Sequence, residues 1–145
     1  MKFALLGFGR MGKAIEQIAL ERGHEIICKI DKNLNEGNLY QADVAINFSI
    51  PDAAVDNISR ALNKSVPVIC GTTGWLDAYQ QVTQIAIKKN TAFLYASNFS
   101  VGVNLFFKLN MVLAQIMESH KEYSASMEET HHIHKLDAPS GTAIT

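Results

Sequence analysis

The sequence predicts an α/β fold built on a mostly parallel sheet, doubly wound by helices on both faces. Two observations carry this expectation. From Lys2 through Tyr95, short apolar runs that read as strands alternate with amphipathic segments of helical length. That alternation builds parallel sheets joined by crossover helices. The first strand also runs into Gly7-Phe8-Gly9-Arg10-Met11-Gly12, a helix and a second strand follow, and Asp31 stands at that strand's end. Strand, G-x-G-x-x-G, helix, strand and an acid about 20 residues past the last glycine make the Rossmann-like dinucleotide fingerprint.

Residues 2–6 form a short apolar run ended by glycine, a buried strand. Met11, Ala14, Ile15, Ile18 and Ala19 recur at helical spacing, and Gly23 stops that helix. Residues 25–30 are a second strand, and the short polar segment 33–41 reads as a connector. A third strand covers 43–48. Pro51 opens the next helix at its first position, and Ala54, Val55, Ile58, Ala61 and Leu62 give that helix an apolar face. Residues 66–70 are a fourth strand, with Pro67 at its start, where a missing N–H is tolerated. A helix over 76–89 and a fifth strand over 91–95 complete the alternation. Leu105, Leu109, Val112, Leu113, Ile116 and Met117 mark a helix over 105–119, apolar enough to pack between layers. Residues 123–129 alternate as a strand, and a last helix opens near Ser140.

Each part of the fingerprint has a physical task. Gly7 allows a tight turn, Gly9 lets the backbone approach a pyrophosphate, and Gly12 lets helix and strand pack closely. The helix N-terminus, with Phe8, Arg10 and Met11 around it, then faces the phosphates. The plain alternative is a glycine-rich turn without a ligand. Asp31 suits both hydroxyls of an adenosine ribose and repels a 2′-phosphate, whereas Lys32 and Arg10 attract one. The pair points to NADH, with tolerance for NADPH. Gly71-Thr72-Thr73-Gly74 follows the fourth strand, at the carboxyl edge where open α/β sheets bind ligands. As a bare sequence it reads equally well as a turn.

The most chemically dense stretch lies near the end: His131, His132, His134 and Lys135, followed by Pro139-Ser140-Gly141-Thr142. Histidine titrates near neutral pH and lysine brings a charge and three donors. The Ser140-Gly141-Thr142 turn enters a helix, whose free N–H groups favour a carboxylate or phosphate. A polar loop before a capped helix is the structural alternative. A metal site is a weaker one, because no cysteine lies near and the spacing is not that of a helical zinc motif.

Composition narrows the classes. A formal net charge of −1 over 145 residues gives no basic surface for nucleic acid and no acidic tail. No apolar run is long enough to span a membrane, and the N-terminal run is too short for a signal peptide. Cys28 and Cys70 each lie in a strand-like apolar run and read as reduced core residues. A cytoplasmic location is expected.

The stretch Glu-x-x-His-His-x-His-Lys-x-Asp-Ala-Pro-Ser-Gly-Thr-Ala resembles the signature of the dihydrodipicolinate reductase (4-hydroxy-tetrahydrodipicolinate reductase) family. The fingerprint, Gly71-Thr72-Thr73-Gly74 and Asn98-Phe99-Ser100-Val101-Gly102-Val103-Asn104 follow the family's order, so the resemblance covers the whole chain. It implies NAD(P)H-dependent reduction of a cyclic unsaturated dicarboxylate to tetrahydrodipicolinate, in lysine and diaminopimelate synthesis. By motif position, His131 is the proton donor or charge stabiliser and Lys135 a second donor and carboxylate partner. His132, Ser140, Gly141 and Thr142 contact substrate. Gly71, Thr72 and Thr73, with Ala96, Ser97, Asn98 and Phe99, line the nicotinamide side.

The resemblance further implies a dinucleotide-binding domain over 1–97 and, over 98–145, the start of an α+β substrate-binding and tetramerisation domain. The chain reads as incomplete at its C-terminal side, a homotetramer when full length and a poor reductase alone. Two other readings stay open: another two-domain nicotinamide oxidoreductase of the amino-acid dehydrogenase kind, and a non-catalytic NAD-responsive binding domain.

Overall fold

The computed structural model describes residues 1–131, 133, 135 and 138–145. Two compact units divide the chain, Met1–Ala96 and Ser97–Thr145.

In the first unit, β1 (Lys2–Leu6), β2 (Glu25–Asp31), β3 (Leu34–Gly37), β4 (Val44–Asn47), β5 (Val68–Cys70) and β6 (Phe93–Tyr95) form one sheet in the order β3-β2-β1-β4-β5-β6. All pairings are parallel except that of β3 with β2. The crossover helices are α1 (Arg10–Glu21), α2 (Pro51–Leu62) and α3 (Tyr79–Lys88). After β1 the chain winds one way to β2; from β4 it winds the other way through β5 to β6. The switch point, where ligands bind in such sheets, therefore lies between the carboxyl ends of β1 and β4.

Burial follows the apolar spacing. α2 buries Ala54, Ile58, Ala61 and Leu62, and α3 buries Val82 and Ala86. These meet Ala4, Leu6, Ala45, Val68 and Cys70 of the central strands. α1 differs from expectation. It buries Gly12 and Ala19, while Met11 and Ile18 stay about half exposed at 49% and 48%. Its inner face is thus turned toward Gly12, which only a residue without a side chain permits, and half-buried Glu16 pairs with Lys29 of β2 at 2.5 Å. β3 falls in the segment expected to be a connector. Its Asn35 and Glu36 are exposed on an edge strand with one neighbour, so no apolar alternation marks it. The helix expected over 76–89 begins as a 3-10 turn at Leu76–Ala78.

The second unit holds α4 (Val101–Met117) and α5 (Gly141–Ile144). Ser100 caps α4, its hydroxyl accepting from the Val103 N–H at 3.4 Å, so the helix starts a turn earlier than its apolar stripe. Two expectations are corrected. Residues 123–129 form no strand, because alternation alone gives an extended chain no partner for its N–H and C=O groups. Helix α4 buries none of its residues, and Leu105, Leu109, Val112, Leu113 and Ile116 are exposed. Among the described residues of this unit no strand forms a layer over its apolar stripe.

Gly7 and Gly9 separate two uses of glycine. Gly7 has φ +96°, and a Cβ there would collide with the Phe48 carbonyl. A Cβ on Gly9 meets nothing within 4 Å. Gly7→Ala is expected to cost at least about 1–3 kcal/mol, the range for overpacking. Gly9→Ala should stay within about 1 kcal/mol. Urea unfolding of both variants checks the difference.

Candidate functional site

Strand register assembles the carboxyl edge of the sheet. Leu6 pairs with Ile30 and Asn47, Asn47 with Cys70, and Cys70 with Tyr95. The next residue of each strand forms a rim: Asp31, Gly7, Phe48, Gly71 and Ala96. Their N–H groups extend the ladders, Gly7 to the Ile30 carbonyl at 2.7 Å, Phe48 to Leu6 at 2.9 Å, Gly71 to Asn47 at 2.9 Å and Ala96 to Cys70 at 3.2 Å. The backbone thus brings the glycine fingerprint, Asp31, the Gly71–Gly74 loop and Ala96 to one edge.

The glycine loop is shaped for a close neighbour. A Cβ on Gly12 would strike the Gly7 carbonyl, whereas the space over Gly9 is open. α1 carries no side-chain cap and no acid in its first turn, so its leading N–H groups are not met by the chain's own carboxylates. Arg10 and Met11 are exposed on that turn. One oxygen of Asp31 accepts from the Phe8 N–H at 2.7 Å and the other from the Lys32 N–H at 2.7 Å. Each oxygen keeps further acceptor capacity. The Lys29 ammonium stacks over the Phe8 ring at 4.7 Å, and Lys32 is exposed.

Behind the rim lies a buried polar cluster that the sequence did not reveal. The Asn47 amide is fully buried and donates to Thr72 Oγ1 at 3.1 Å and Cys70 Sγ at 3.4 Å. Ser49 Oγ donates to Asn47 Oδ1 at 3.1 Å, and the Ser49 N–H donates to Thr72 Oγ1 at 2.9 Å. The Thr72 hydroxyl donates to the Ser49 carbonyl at 3.4 Å, which completes its bonding capacity. The Trp75 indole N–H donates to the Thr72 carbonyl at 2.6 Å. So Thr72 turns its side chain inward, while Gly71 and Thr73 are half-buried. Burial raises the Cys70 thiol, which stays protonated at neutral pH. A polar residue ending the apolar run Val44–Asn47 was the available signal. A groove of about 470 Å³ lined by Tyr79, Thr83, Ile87 and Phe93 lies by the amino end of β6, away from this edge.

The second unit brings other expected residues together. Ser97 Oγ and Thr145 Oγ1 are 2.8 Å apart, and Asn98 Nδ2 is 3.5 Å from Thr142 Oγ1. Phe99 is 45% exposed, and Gly141 and Lys135 are half-buried. His132 lies outside the described residues. Glu129, which the sequence reading gave no role, is the hub. Its carboxylate accepts from the Ser140 hydroxyl at 2.5 Å, the Ser140 N–H at 2.9 Å and His131 Nε2 at 2.9 Å. Ser140 is buried and caps α5 through the Ala143 N–H at 3.0 Å. Among the described residues no group of His, Cys, Asp and Glu is placed to hold a metal ion, and no helix is long and apolar enough to cross a membrane.

Comparison with known proteins agrees with this geometry. The family model for the dihydrodipicolinate reductase N-terminus matches residues 1–99, and that for its C-terminus matches residues 102–145. A 4-hydroxy-tetrahydrodipicolinate reductase of Christiangramia forsetii is 51% identical, over 100% of this chain and 62% of its own length. That of Cutibacterium acnes is 38% identical, over 100% of this chain and 58% of its own. That of Methanoculleus marisnigri is 42% identical, over 81% and 44%. The chain thus spans less than two thirds of these relatives. Among solved structures, a putative homoserine dehydrogenase of Archaeoglobus fulgidus superposes with TM-score 0.58 at 15% identity, over 66% of this chain and 42% of that one. A hyperthermophilic archaeal homoserine dehydrogenase in complex with NADPH gives 0.53 at 14%, over 65% and 43%. These two likenesses bear on the fold alone.

The Glu129 cluster sets a pH dependence. The Ser140 hydroxyl, then the Ser140 N–H, then His131 stabilise the charged carboxylate and hold it down to about 2, from an ordinary 4.5. A depressed carboxyl contributes stability that is complete above its unfolded value and lost as pH falls through its folded one. Ordering of the turn at Ser140 should therefore persist above about 4.5 and fade toward 2. A carboxyl NMR titration should find the low midpoint in the protein, and Ser140→Ala should move it back toward 4.5.

Proposed function

The chain belongs to the dihydrodipicolinate reductase family, and we propose that it reduces a cyclic dihydrodipicolinate-type dicarboxylate to tetrahydrodipicolinate with NAD(P)H, in lysine and diaminopimelate synthesis. The observation that carries this reading is the rim of Asp31, Gly7, Phe48, Gly71 and Ala96 at the switch point of the sheet. It occurs in a chain that also holds the His131–Lys135 stretch.

The residues present fit a dinucleotide. The open space over Gly9 and the uncapped start of α1 suit a pyrophosphate, with Phe8, Arg10, Met11 and Gly12 around it. Asp31 suits the adenosine ribose, with Lys32 beside it. Gly71, Thr72, Thr73, Ala96, Ser97, Asn98 and Phe99 are assigned to the nicotinamide side, Thr72 through its backbone. When bound, the nicotinamide supplies a hydride to the substrate ring.

The chain's own work is to bind the dicarboxylate and deliver a proton. His131 gives the proton, or stabilises the charge that develops, and Lys135 acts as a second donor and carboxylate partner. His132, Gly141 and Thr142 contact substrate carboxylates, while Ser140, expected beside them, gives its N–H and hydroxyl to Glu129. A water-soluble homotetramer in the cytoplasm accords with the biosynthetic role.

Asp31 sets the cofactor expectation. Its carboxylate, fixed on the Phe8 N–H, repels a 2′-phosphate, so NADH should bind at least as tightly as NADPH. Titration of both at one ionic strength tests this. NADPH binding tenfold tighter, about 1.4 kcal/mol, would mean that Lys32 and Arg10 prevail. Asp31→Ala should weaken NADH more than NADPH.

His131→Ala and Lys135→Ala should each lower kcat by about 10²–10⁴, the range for general acid catalysis. NADH affinity should hold. Steady-state oxidation of NADH with the dicarboxylate measures both, and wild-type kcat in both variants would end the assignment.

A further inference from the structure

We propose that Glu129 is a positioning residue that fixes which nitrogen of His131 exchanges a proton with substrate. The inference rests on the reductase reading above and adds to it a residue that no part of that reading assigns. Its basis is that Glu129 bonds Ser140 and His131 at once. One oxygen accepts from the Ser140 N–H at 2.9 Å, and the other accepts from the Ser140 hydroxyl at 2.5 Å and lies 2.9 Å from His131 Nε2.

Ser140 is an anchor rather than a mobile partner. It is 2% exposed, and its own hydroxyl caps α5 through Ala143. A carboxylate fastened to it at both oxygens has little freedom to turn. His131 is 37% exposed, and among the described residues its ring bonds Glu129, whose carboxylate orients it.

An ionised carboxylate only accepts hydrogen bonds. The nitrogen facing it must therefore carry a proton, which makes Nε2–H the fixed feature of the ring. Nδ1 is left as the nitrogen that reacts. In the proton step the Nδ1–H bond of the doubly protonated ring breaks. The proton passes to the substrate atom that gained negative charge on hydride addition. The ring returns to the neutral Nε2–H form without moving, because its bond to Glu129 is the same before and after. A base held by an acid that does not itself take up the proton is a general device of acid–base sites. Here the same acid also ties the ring to the turn carrying Gly141 and Thr142, so proton donor and substrate turn share one anchor.

The test compares Glu129→Gln and Glu129→Asp with the unaltered protein. Glutamine keeps the length and an acceptor for Ser140, but its NH₂ end cannot accept from Nε2–H. It should lower kcat by about 10²–10⁴-fold, the range for losing general acid catalysis or its orienting acid. KM for NADH should change less than about twofold on the same kinetic grounds. Aspartate, still a carboxylate, should restore much of the loss. Imidazole ¹⁵N spectra supply a readout independent of turnover: the neutral His131 ring should be the Nε2–H tautomer in the unaltered protein and shift toward Nδ1–H in Glu129→Gln. An Nδ1–H tautomer in the unaltered protein overturns the proposal, as does wild-type kcat in Glu129→Gln. Equal loss of kcat, NADH affinity and folding would also overturn it, as the mark of a scaffold residue. A protein that shows the Nε2–H signature yet never oxidises NADH with the dicarboxylate would refute the reductase reading and leave the positioning of His131 standing.

Discussion

A side chain on Gly7 would have to occupy the place of the Phe48 carbonyl, and the carboxyl edge of the sheet depends on that exclusion. Phe48 has glycine on two sides. Gly7 meets its backbone, and a Cβ on Gly71 would run into its ring. The ends of β1, β4 and β5 are thereby drawn together where the winding direction reverses. The position of the Asn47 cluster follows from the same closeness. Asn47, Ser49 and Thr72 reach one another only because the two loops after β4 and β5 begin side by side. A larger residue at any of these points would spread the rim before it touched a ligand.

The legible part of the fold was the part set by local rules. Pro51 at the first turn of α2 and the spacing of Ala54, Ile58, Ala61 and Leu62 gave that helix its bounds and its buried face. The glycine fingerprint and Asp31 announced their edge because backbone approach demands glycine in any context. What stayed hidden depends on partners distant in sequence. Asn47 looks like the end of a strand until Thr72 and Ser49 are seen around it. β3 is polar because one of its edges is free, and residues 123–129 have the alternation of a strand without the neighbours that would make one.

The second unit shows the same division. Its histidines and lysine stood out by type and spacing, yet the residue that bonds His131 is an ordinary glutamate. Nothing in a lone Glu129 distinguishes it from Glu128 until Ser140, 11 positions away, closes on it. The expected anion turn is changed by that closure, since the donors of Ser140 are committed to the chain's own carboxylate. Helix α4 has the opposite character. It is well capped by Ser100 and strongly apolar, so its formation is local, while none of its residues is buried.

Trp75 gives the first unit an optical property. It is the chain's single tryptophan, 5% exposed, with its indole N–H on the Thr72 carbonyl. Tyr95 stands edge-on to it with ring centres 5.6 Å apart, and Tyr79 lies at 6.1 Å. Light absorbed by those tyrosines drains into one indole, whose hydrogen bond ends on the backbone of the Gly71–Gly74 loop. Tryptophan fluorescence from this protein therefore comes from a single emitter wired to the rim of the sheet, a label already in the sequence.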